Sequence, residues 1–534
     1  MGTLGRIRSV AVATGLSVAL AAGLSVGLAG LAAPAQAATT TVTLTGPSSA
    51  RPGVSTKLTV TWKVGGKAHA GTVAVQQRVS GVWYALGTVK TSTAGTGTIS
   101  VKPKATAVFR AKTSSGVYSA TKTLTITTAA PSSFTAKGSG FGHGVGMPQY
   151  GAYQLGLKGH SSTTILKTYY KDTTPKTVTT PQNIAVQVWG PEPYGYAAGK
   201  YSDTATSTSV HVDAGTWRLR SSKNTTLYEG KAPITVTIGV SGTKVTASFP
   251  VKSGTKTVTK KYTDSTLRIH WSGTTYYKST STKAVATVKG AQGSYRNGRL
   301  TISNIGGHPN VVNDLRLNTE YLYGIAEMPS SWGAGKGVHA LAAQAIVARS
   351  YALTKLGSTN AKCRCNVVDD VRDQNFTGWK KQNEGTNGYY GKLWVAAVKA
   401  TLTSTTKAKA LTYGGKVVAT HYYSSSGGRT ANSQDVWSAK VPYEQSVADS
   451  WSLTAPGNSY RSWTRTVSQA TAKKVFGLPD VKSISVSAKY SSGQMKTLTA
   501  TSTAGKKASV TGKADTLRGK FGFPAAWVSS FTAS

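Results

Sequence analysis

Short runs in which apolar and polar residues alternate recur along most of this sequence, and they constrain its fold more than any other feature. Clear examples are residues 57–62 (Lys-Leu-Thr-Val-Thr-Trp) and residues 72–76 (Thr-Val-Ala-Val-Gln). Alternation with a period of two predicts strands that bury one face. Turn signals containing glycine or proline separate the runs. The pattern predicts an α+β chain that is mostly β, with one prominent helix.

The first group of predicted strands, residues 39–128, fits a small antiparallel sandwich. The pattern around Trp83 and residues 98–101 resembles the Ig-like modules appended to secreted actinobacterial proteins. We expect no chemistry in this module. A linker at residues 129–133 closes it, and a second, larger domain is predicted over residues 134–534.

The N-terminus carries the pattern of an export signal. Arg6 and Arg8 precede an apolar run that ends in the small residues of 35–38 (Ala-Gln-Ala-Ala). This pattern predicts a signal peptide over residues 1–37 and a secreted mature protein. The alternative is a retained membrane anchor, because the apolar run is long enough to span a bilayer.

The balance of charge is extreme, since 62 Lys and Arg residues face 18 Asp and Glu residues and give a formal net charge of +44. The basic residues are scattered along the chain rather than gathered in a tail. No nucleic-acid-binding motif is recognisable, so we expect no nucleic-acid partner. For an exported protein, the charge indicates retention by anionic wall polymers. The alternative is a generic solvated basic surface.

Cys363 and Cys365 are the only cysteines. They could form a short-loop disulfide, stay reduced, or donate two thiolates to zinc. A structural zinc site usually needs four ligands, and no nearby histidine has the usual spacing. We therefore expect no required cofactor, with zinc at this pair as the less favoured alternative.

A Gly-rich stretch is the first candidate site. Residues 138–152 contain six glycines in fifteen positions, which argues against a helix or an ordinary strand. A loop of this kind lets backbone amides approach a ligand, while His143, Gln149 and Tyr150 offer directional hydrogen bonds. By itself the stretch is better explained as a structural turn.

The glutamates supply the second candidate, and the chain has six of them: Glu192, Glu229, Glu320, Glu327, Glu384 and Glu444. Glu192, Glu229 and Glu384 are expected to be solvated, since they stand beside Pro, Gly or Asn. Glu320 and Glu444 adjoin a tyrosine but lack a longer apolar setting. Apolar residues enclose Glu327 alone, and desolvation would raise its pKa and keep it available as a proton donor. The alternative is a structural glutamate ahead of the following helix.

That helix, residues 336–353, is the clearest in the sequence. Its apolar stripe is formed by Val338, Leu341, Ala345, Ala348 and Ala352. Gln344, Arg349 and Tyr351 either face a cleft beside Glu327, or Arg349 pairs with a structural carboxylate.

A third candidate lies at residues 421–430 (His-Tyr-Tyr-Ser-Ser-Ser-Gly-Gly-Arg-Thr). Hydroxyl groups, glycines and an arginine at a strand end can bind sugar hydroxyls and an anionic group. The candidate binding residues are Tyr423, Ser426, Gly427 and Arg429. No Ser-His-acid arrangement is evident, so a serine hydrolase is not favoured.

These blocks together resemble the SpoIID/LytB family. Residues 138–152 resemble its GHGVGMSQxGA signature, residues 311–332 its VNxxxLExYLxGVxxxEMPxxW tract, and residues 336–353 its EALKAQAVAARTYA helix. Residues 421–430 resemble its YxSSSGGxT element. Pro148 stands where the signature has Ser, and the Gly-rich block precedes the Glu327 block, whereas we expect the opposite order in sporulation members.

The resemblance divides the second domain into a Gly-rich block, a β-rich layer, a Glu327 block, a Ser- and Gly-rich block and closing strands, at residues 138–170, 184–310, 311–353, 421–443 and 481–531. It implies that Glu327 is the catalytic acid and base of a lytic transglycosylase, acting on peptidoglycan glycan strands at the cell wall. The alternative is a non-catalytic amidase enhancer that binds peptidoglycan and assists a wall amidase. A third possibility is a basic envelope-binding protein.

Overall fold

A computed structural model describes residues 38–50, 52–126, 130–195, 203–278, 280–437 and 439–534. The predicted signal peptide, residues 1–37, lies outside the described residues. The chain divides into two compact units, with the boundary between residues 128 and 129. The structure is mostly β, as the alternating pattern predicts. Within the described ranges, no helix combines the length and apolar character needed to cross a membrane.

The described residues of the first unit form the strands β1 Thr40–Thr45, β2 Ser49–Ala50, β3 Thr56–Val64, β4 Lys67–Ala68, β5 Gly71–Val79, β6 Val82–Thr91, β7 Thr96–Val101, β8 Ala107–Thr113 and β9 Lys122–Ile126. One sheet joins β1, β3, β4 and β7, and the other has the order β2-β9-β8-β5-β6. Alternate residues such as Leu58 and Val60 on β3, Val73 on β5 and Phe109 on β8 are fully buried in a shared core. Each such burial contributes about 1.5–3 kcal/mol. The finer Ig-like assignment stays a prediction.

The strands of the second unit are β10 Ser133–Ser139, β11 Met147–Pro148, β12 Thr174–Thr179, β13 Asn183–Trp189, β14 Ser207–Val212, β15 Thr216–Arg220, β16 Thr226–Lys231, β17 Ile234–Ser241, β18 Lys244–Ser253, β19 Lys256–Asp264, β20 Thr266–Trp271, β21 Ala286–Val288, β22 Arg299–Ile305, β23 His308–Arg316, β24 Val367–Val368, β25 Leu402–Ser404, β26 Lys407–Tyr413, β27 Lys416–Val417, β28 Tyr422–Tyr423, β29 Trp463–Ser468, β30 Ser483–Lys489, β31 Met495–Thr501, β32 Lys507–Thr511 and β33 Trp527–Ala533. Its helices are α1 Gln149–Leu157, α2 Ser162–Tyr169, α3 Val338–Lys355, α4 Trp379–Gln382, α5 Tyr389–Lys399, α6 Ser433–Val436, α7 Ser450–Thr454, α8 Gln469–Phe476 and α9 Ala514–Phe521.

Two large sheets dominate this unit. One has the order β16-β15-β20-β22-β23-β13-β24, and the other has the order β19-β18-β17-β14-β21. The closing segment forms the sheet β30-β31-β32, and β33 joins β10 and β29 in another small sheet. Because β24 pairs in parallel with β13, the chain that follows it, residues 369–376, is anchored beside the seven-stranded sheet.

The predicted long helix is α3, shifted by two residues from the expected range. The sequence predicts one apolar stripe, but the helix is buried on nearly all sides from Ala340 to Ser350. Helices α1, α2 and α5 and strand β26 all contact it, so its polar Gln344 and Arg349 are enclosed as well. Alanine-rich composition permits this close approach from several directions.

The exclusion of a helix from residues 138–152 is wrong for the end of that stretch. Gly140, Gly142, Gly144 and Gly146 have positive φ angles and form the expected loop. From Gln149 onward, however, the chain is helical in α1. Gly151 suits this helix because a Cβ there would lie 2.4 Å from the hydroxyl of Tyr169, so close packing, rather than backbone freedom, requires the glycine.

Candidate active site

A cavity of about 620 Å³ brings together residues from the Gly-rich block, the Glu327 block and the block that begins at residue 421. The parallel pairing of β11 with β28 sets Met147 opposite Tyr422. Gly146 allows this approach, because its φ is +76° and a Cβ would lie 1.9 Å from the carbonyl oxygen of His421. Segments that are far apart in the sequence therefore share one cavity wall.

Glu327 lines this cavity with the small part of its surface that remains exposed. The backbone N–H of Asn375 donates to its Oε1 at 2.6 Å, and the Asn375 side chain donates to the carbonyl of Ala326 at 2.9 Å. Burial raises the pKa of Glu327, while the Asn375 N–H, the Tyr422 hydroxyl and the charge of Lys381 oppose the rise. Desolvation is the largest of these effects, so Glu327 stays protonated to a higher pH than an ordinary glutamate.

A chain of buried hydrogen bonds orients the donor to Glu327. The hydroxyl of Tyr321 donates to Gln374 Oε1 at 2.8 Å, and Gln374 Nε2 donates to the hydroxyl oxygen of Tyr422 at 2.8 Å. The Tyr422 hydroxyl is left to donate to Glu327. Gln374 is fully buried, so both ends of its amide are fixed.

The loop after Glu327 is held by a buried amine. Lys381 Nζ donates to the carbonyl of Met328 at 2.5 Å and to Glu384 at 2.7 Å. Glu384 also accepts the hydroxyl of Ser330 at 2.7 Å. The expectation that Glu384 is simply solvated is therefore wrong. Its bonds to Lys381 and Ser330 stabilise the turn that follows Glu327.

Asp373 is a second carboxylate at the cavity. It accepts the hydroxyl groups of Tyr351, at 2.6 Å, and Tyr194, and the N–H of Val368 at 2.9 Å. Lys355 Nζ lies 3.4 Å from its Oδ1. The Asp373 side chain is fully buried and has four donors around it. We therefore assign it a structural role, which is to stabilise residues 368–373.

His143 and His421 also line the cavity, with ring centroids 6.2 Å apart. The Nδ1 of His143 accepts the N–H of Val145 at 3.0 Å, which leaves Nε2 to donate to the carbonyl of Tyr422 at 3.1 Å. Burial, together with the charges of His421 and Arg518, lowers the pKa of His143 to about 3. His143 therefore stays neutral and positions Tyr422, rather than offering a free donor to a ligand.

Glu444 is fully buried and accepts from both the backbone N–H and the ring of His421, at 2.8 Å and 2.9 Å. The interpretation that Glu444 lacks an enclosed setting is wrong, and Glu320 is buried too, accepting the N–H of Arg316 at 2.8 Å. Local sequence did not reveal either environment, because distant segments supply the cover. Glu327 differs from both by being the one glutamate among the described residues lining this cavity.

Comparison with known proteins supplies the decisive observation. The family model for SpoIID, described as stage II sporulation protein, matches residues 306–413, the segment that carries Glu327 and α3. This match identifies residues 306–413 as similar to SpoIID and supports the resemblance to the SpoIID/LytB family.

Curated relatives agree with this assignment. The amidase enhancer of Bacillus subtilis is 36% identical over 134 residues, which is 24% of this chain and 16% of the relative. The stage II sporulation protein D of Bacillus subtilis is 28% identical over 169 residues, or 30% of this chain and 45% of the relative. The Bacillus amyloliquefaciens protein of the same name is 29% identical over 144 residues, or 26% and 40%. The chain thus spans less than half the length of each of these relatives.

Among solved structures, a Salmonella alpha-2-macroglobulin covers 44% of this chain, with 16% of its own length, at 13% identity. Its TM-score of 0.16 is too low to support an argument about the fold.

Two of the candidate binding residues from the SpoIID-like motifs line the cavity besides His143. Gln149 does so from the start of α1, and its Nε2 lies 3.4 Å from Gln344 Oε1. Tyr423 does so from β28, and its hydroxyl is buried. Gln149 and Tyr423 thus stay candidate binding residues.

Gln344 and Arg349 of the family helix do not reach the cavity. Gln344 is fully buried behind Gln149. Arg349, also fully buried, donates to Asn318 Oδ1 at 2.8 Å, to the carbonyl of Lys409 at 2.7 Å and to Thr401 Oγ1 at 3.0 Å. The prediction that Arg349 binds substrate is wrong, and its alternative, a carboxylate partner, is wrong as well. Neutral oxygens satisfy its guanidinium.

Four further candidate binding residues are not in the lining of this cavity. Tyr150 turns away to contact the ring of Trp332 and donates to the carbonyl of Gly457. Ser426 is fully buried and donates to Asp449 at 2.5 Å. A Cβ at Gly427 would lie 2.3 Å from Trp527, so this glycine is required by packing. Arg429 is exposed outside the cavity wall and donates to Ser446 at 2.9 Å.

The expected solvation of the remaining loop glutamates is only partly correct. Glu192 pairs with Arg372 at 2.7 Å and has a side chain only 10% exposed. Glu229 lies on β16 rather than in a loop and pairs with Lys278 on the surface. Cys363 and Cys365 are bonded to each other, and in that state they offer no thiolate to zinc.

Proposed function

We propose that this chain is a peptidoglycan lytic transglycosylase in which Glu327 is the general acid. The observation that carries the proposal is the setting of Glu327: burial favours its protonated form, fixed donors orient it, and its exposed edge opens into a cavity of about 620 Å³. A proton donor to a leaving glycosidic oxygen needs these properties. The SpoIID match over the same segment supports a function at the cell wall.

The reaction type follows from the supply of carboxylates. Glycosidases that use water or a covalent intermediate employ two carboxyl groups at a set separation. Here the second carboxylate at the cavity, Asp373, is occupied by four donors. A lytic transglycosylase needs no second carboxylate, because the muramyl 6-hydroxyl of the substrate attacks the anomeric carbon. In the single-acid form of the mechanism, Glu327 protonates the glycosidic oxygen and then removes the proton of that hydroxyl, giving a 1,6-anhydro end.

A second candidate is a non-catalytic amidase enhancer that binds peptidoglycan and assists a cell-wall amidase. The observation that favours it is the relative with 36% identity, which is named an amidase enhancer. A third is a basic envelope-binding protein, which the net charge of +44 favours. In each case we place the protein outside the cell, at the wall, with glycan strands and anionic wall polymers as partners and no nucleic-acid partner.

Mass spectrometry of purified, peptide-free glycan strands separates the three candidates. We expect wild type to release anhydro-muramyl products and Glu327→Gln to release none, because an amide cannot donate the proton. Glu229→Gln is the matched control, since Glu229 is exposed and lies outside the cavity. It should retain wild-type activity.

A wild-type protein that releases no anhydro-muramyl product contradicts the enzyme proposal. If that protein and Glu327→Gln both bind walls and stimulate an amidase equally, the enhancer is favoured. Wall binding without stimulation leaves the envelope-binding protein.

A further inference from the structure

A second group with acid–base chemistry lines the same cavity as Glu327. His421 lines the cavity with its side chain 34% exposed, whereas the side chain of its partner, Glu444, is fully buried. The ring Nδ1 of His421 lies 3.0 and 2.9 Å from the two carboxylate oxygens of Glu444. The single-acid mechanism gives this pair no role.

The hydrogen bonds fix the tautomer of His421. Because a carboxylate only accepts hydrogen bonds, Nδ1 must carry the proton that faces Glu444. In the neutral ring, Nε2 then has a free lone pair, and it has no hydrogen-bond partner in the part of the chain that the structure describes. A buried carboxylate behind an exposed imidazole is the arrangement that orients a histidine base and stabilises the imidazolium it becomes.

The surroundings hold the ring in place. The ring of Trp437 lies 4.7 Å from that of His421, and the neutral ring of His143 lies at 6.2 Å. The hydroxyl of Tyr170 donates to the His421 carbonyl at 2.6 Å. The titratable groups that face His421 are thus Glu444, His143 and Tyr170, of which Glu444 supplies the negative charge.

His421 and the acid are linked through the backbone. Tyr422, the next residue, donates its hydroxyl to Glu327. Consecutive residues therefore place one group at the acid and another in the lining of the same cavity. Substrate in the cavity would meet both Glu327 and the His421 ring.

We propose that His421 Nε2 accepts the proton of the hydroxyl that attacks the anomeric carbon, with Glu444 as its positioning residue. This inference rests on the proposed function. In the single-acid mechanism Glu327 both donates and accepts a proton, whereas here Glu327 donates and His421 accepts. The bond from the anomeric carbon to the leaving oxygen breaks as Glu327 gives that oxygen its proton. The muramyl 6-oxygen bonds to the anomeric carbon, and its proton moves to Nε2. Exchange with solvent then returns both groups to their starting states.

The test measures the rate of anhydro-muramyl release from peptide-free glycan strands between about pH 4 and pH 9 for the full chain. We expect His421→Gln to lower kcat by about 10²-fold or more, the usual contribution of a general base, with little change in KM. The fall in rate on the acid side of the wild-type profile should disappear with it. Glu444→Gln should also lower kcat, because the ring loses the carboxylate that holds its Nδ1.

His339→Gln is the matched control, since His339 lies at the start of α3 and outside the cavity lining. It should keep the wild-type rate and profile. His421→Gly with added imidazole covers the case in which the glutamine variant folds poorly. Recovery of rate by imidazole supports a base at this position.

The two proposals fail in different ways. Wild-type protein that releases no anhydro-muramyl product overturns the proposed function and this inference together. Active wild type combined with a His421→Gln variant whose rate stays within about threefold and whose pH profile is unchanged overturns this inference alone.

Discussion

At the scale of single residues, the environment of Glu327 sets desolvation against hydrogen bonding. Burial makes the ionised form costly, and the Asn375 N–H, the Tyr422 hydroxyl and the Lys381 charge recover part of that cost. The pKa of Glu327 is therefore raised, and the folded protein is less stable when Glu327 is ionised. Such a site trades folding stability for a proton donor.

The first prediction concerns the pH dependence of this cost. Folding raises the pKa of Glu327, so its contribution to stability is present below the unfolded pKa and is lost as pH rises through the folded pKa. Glu327→Gln should therefore unfold at higher urea concentration than wild type at pH 8, and the difference should vanish near pH 4. Each pKa unit is worth about 1.4 kcal/mol. Glu229→Gln, at an exposed ion pair, should show no gain at pH 8.

The second prediction concerns the donor to Glu327. Tyr422→Phe removes a hydroxyl that favours the ionised carboxylate, so the pKa of Glu327 should rise further. It also leaves the buried Gln374 amide without its acceptor, at a cost of about 1–3 kcal/mol. Infrared difference spectra of the carboxyl stretch, with Glu327→Gln as the blank, would follow the titration.

The matched control is Tyr423→Phe, because Tyr423 is the next residue on β28 and is not among the groups that act on Glu327. Its titration of Glu327 should match wild type. Equal titrations in Tyr422→Phe and wild type would contradict the assignment of Tyr422 as donor.

At the scale of elements, α3 is the support on which the site is assembled. Helices α1, α2 and α5 and strand β26 contact it from several sides. Its Arg349 ties it to Asn318, Thr401 and Lys409, which lie on three segments outside the helix. Packing and internal hydrogen bonds explain the SpoIID-like motif in this helix. Tyr351 is the one residue of α3 in the described lining of the cavity.

The third prediction tests this structural role. Arg349→Lys should lower the free energy of unfolding by about 3 kcal/mol or more, because a compact ammonium cannot replace three directed guanidinium bonds and leaves buried acceptors unpaired. Urea unfolding followed by tryptophan fluorescence would measure it. Arg429→Lys, at an exposed position, should change stability by less than about 0.5 kcal/mol. A stable Arg349→Lys variant with weakened glycan binding would restore the substrate-binding interpretation.

At the scale of the whole molecule, the net charge of +44 is carried by residues scattered over both units. Such a charge attracts polyanions over a distance set by the ionic strength, with a Debye length of about 10 Å at 0.1 M salt. Attraction of this kind retains the protein at an acidic surface without identifying a glycan. It is thus separable from the chemistry of the cavity.

The fourth prediction uses that separation. Binding of the full chain to whole cell walls, measured by pelleting, should fall steeply as salt rises from about 0.05 M to about 0.5 M, because surface charges are screened. Walls stripped of anionic polymers should retain less protein. Glu327→Gln should pellet like wild type throughout. Binding that does not respond to salt would contradict retention by charge.

The sequence by itself determined the features that depend on neighbouring residues. Alternation with a period of two indicates strands such as β3 and β5, because successive side chains in a strand point to opposite faces. Spacing of three and four residues locates α3 within two residues of its ends. The apolar neighbours of Glu327 in the sequence also indicate its raised pKa, because adjacent residues contribute to its burial.

Tertiary structure alone decided which polar residues share a cavity and which are internal. His421 meets Glu444 across 23 positions, Glu327 meets the Asn375 N–H across 48, and Gln149 meets Gln344 across 195. No local pattern encodes such pairings, because burial and hydrogen bonding depend on which distant segments pack together. The same packing encloses Arg349 and Ser426, whose sequence motifs resemble binding residues, and leaves the His421 ring open to the cavity.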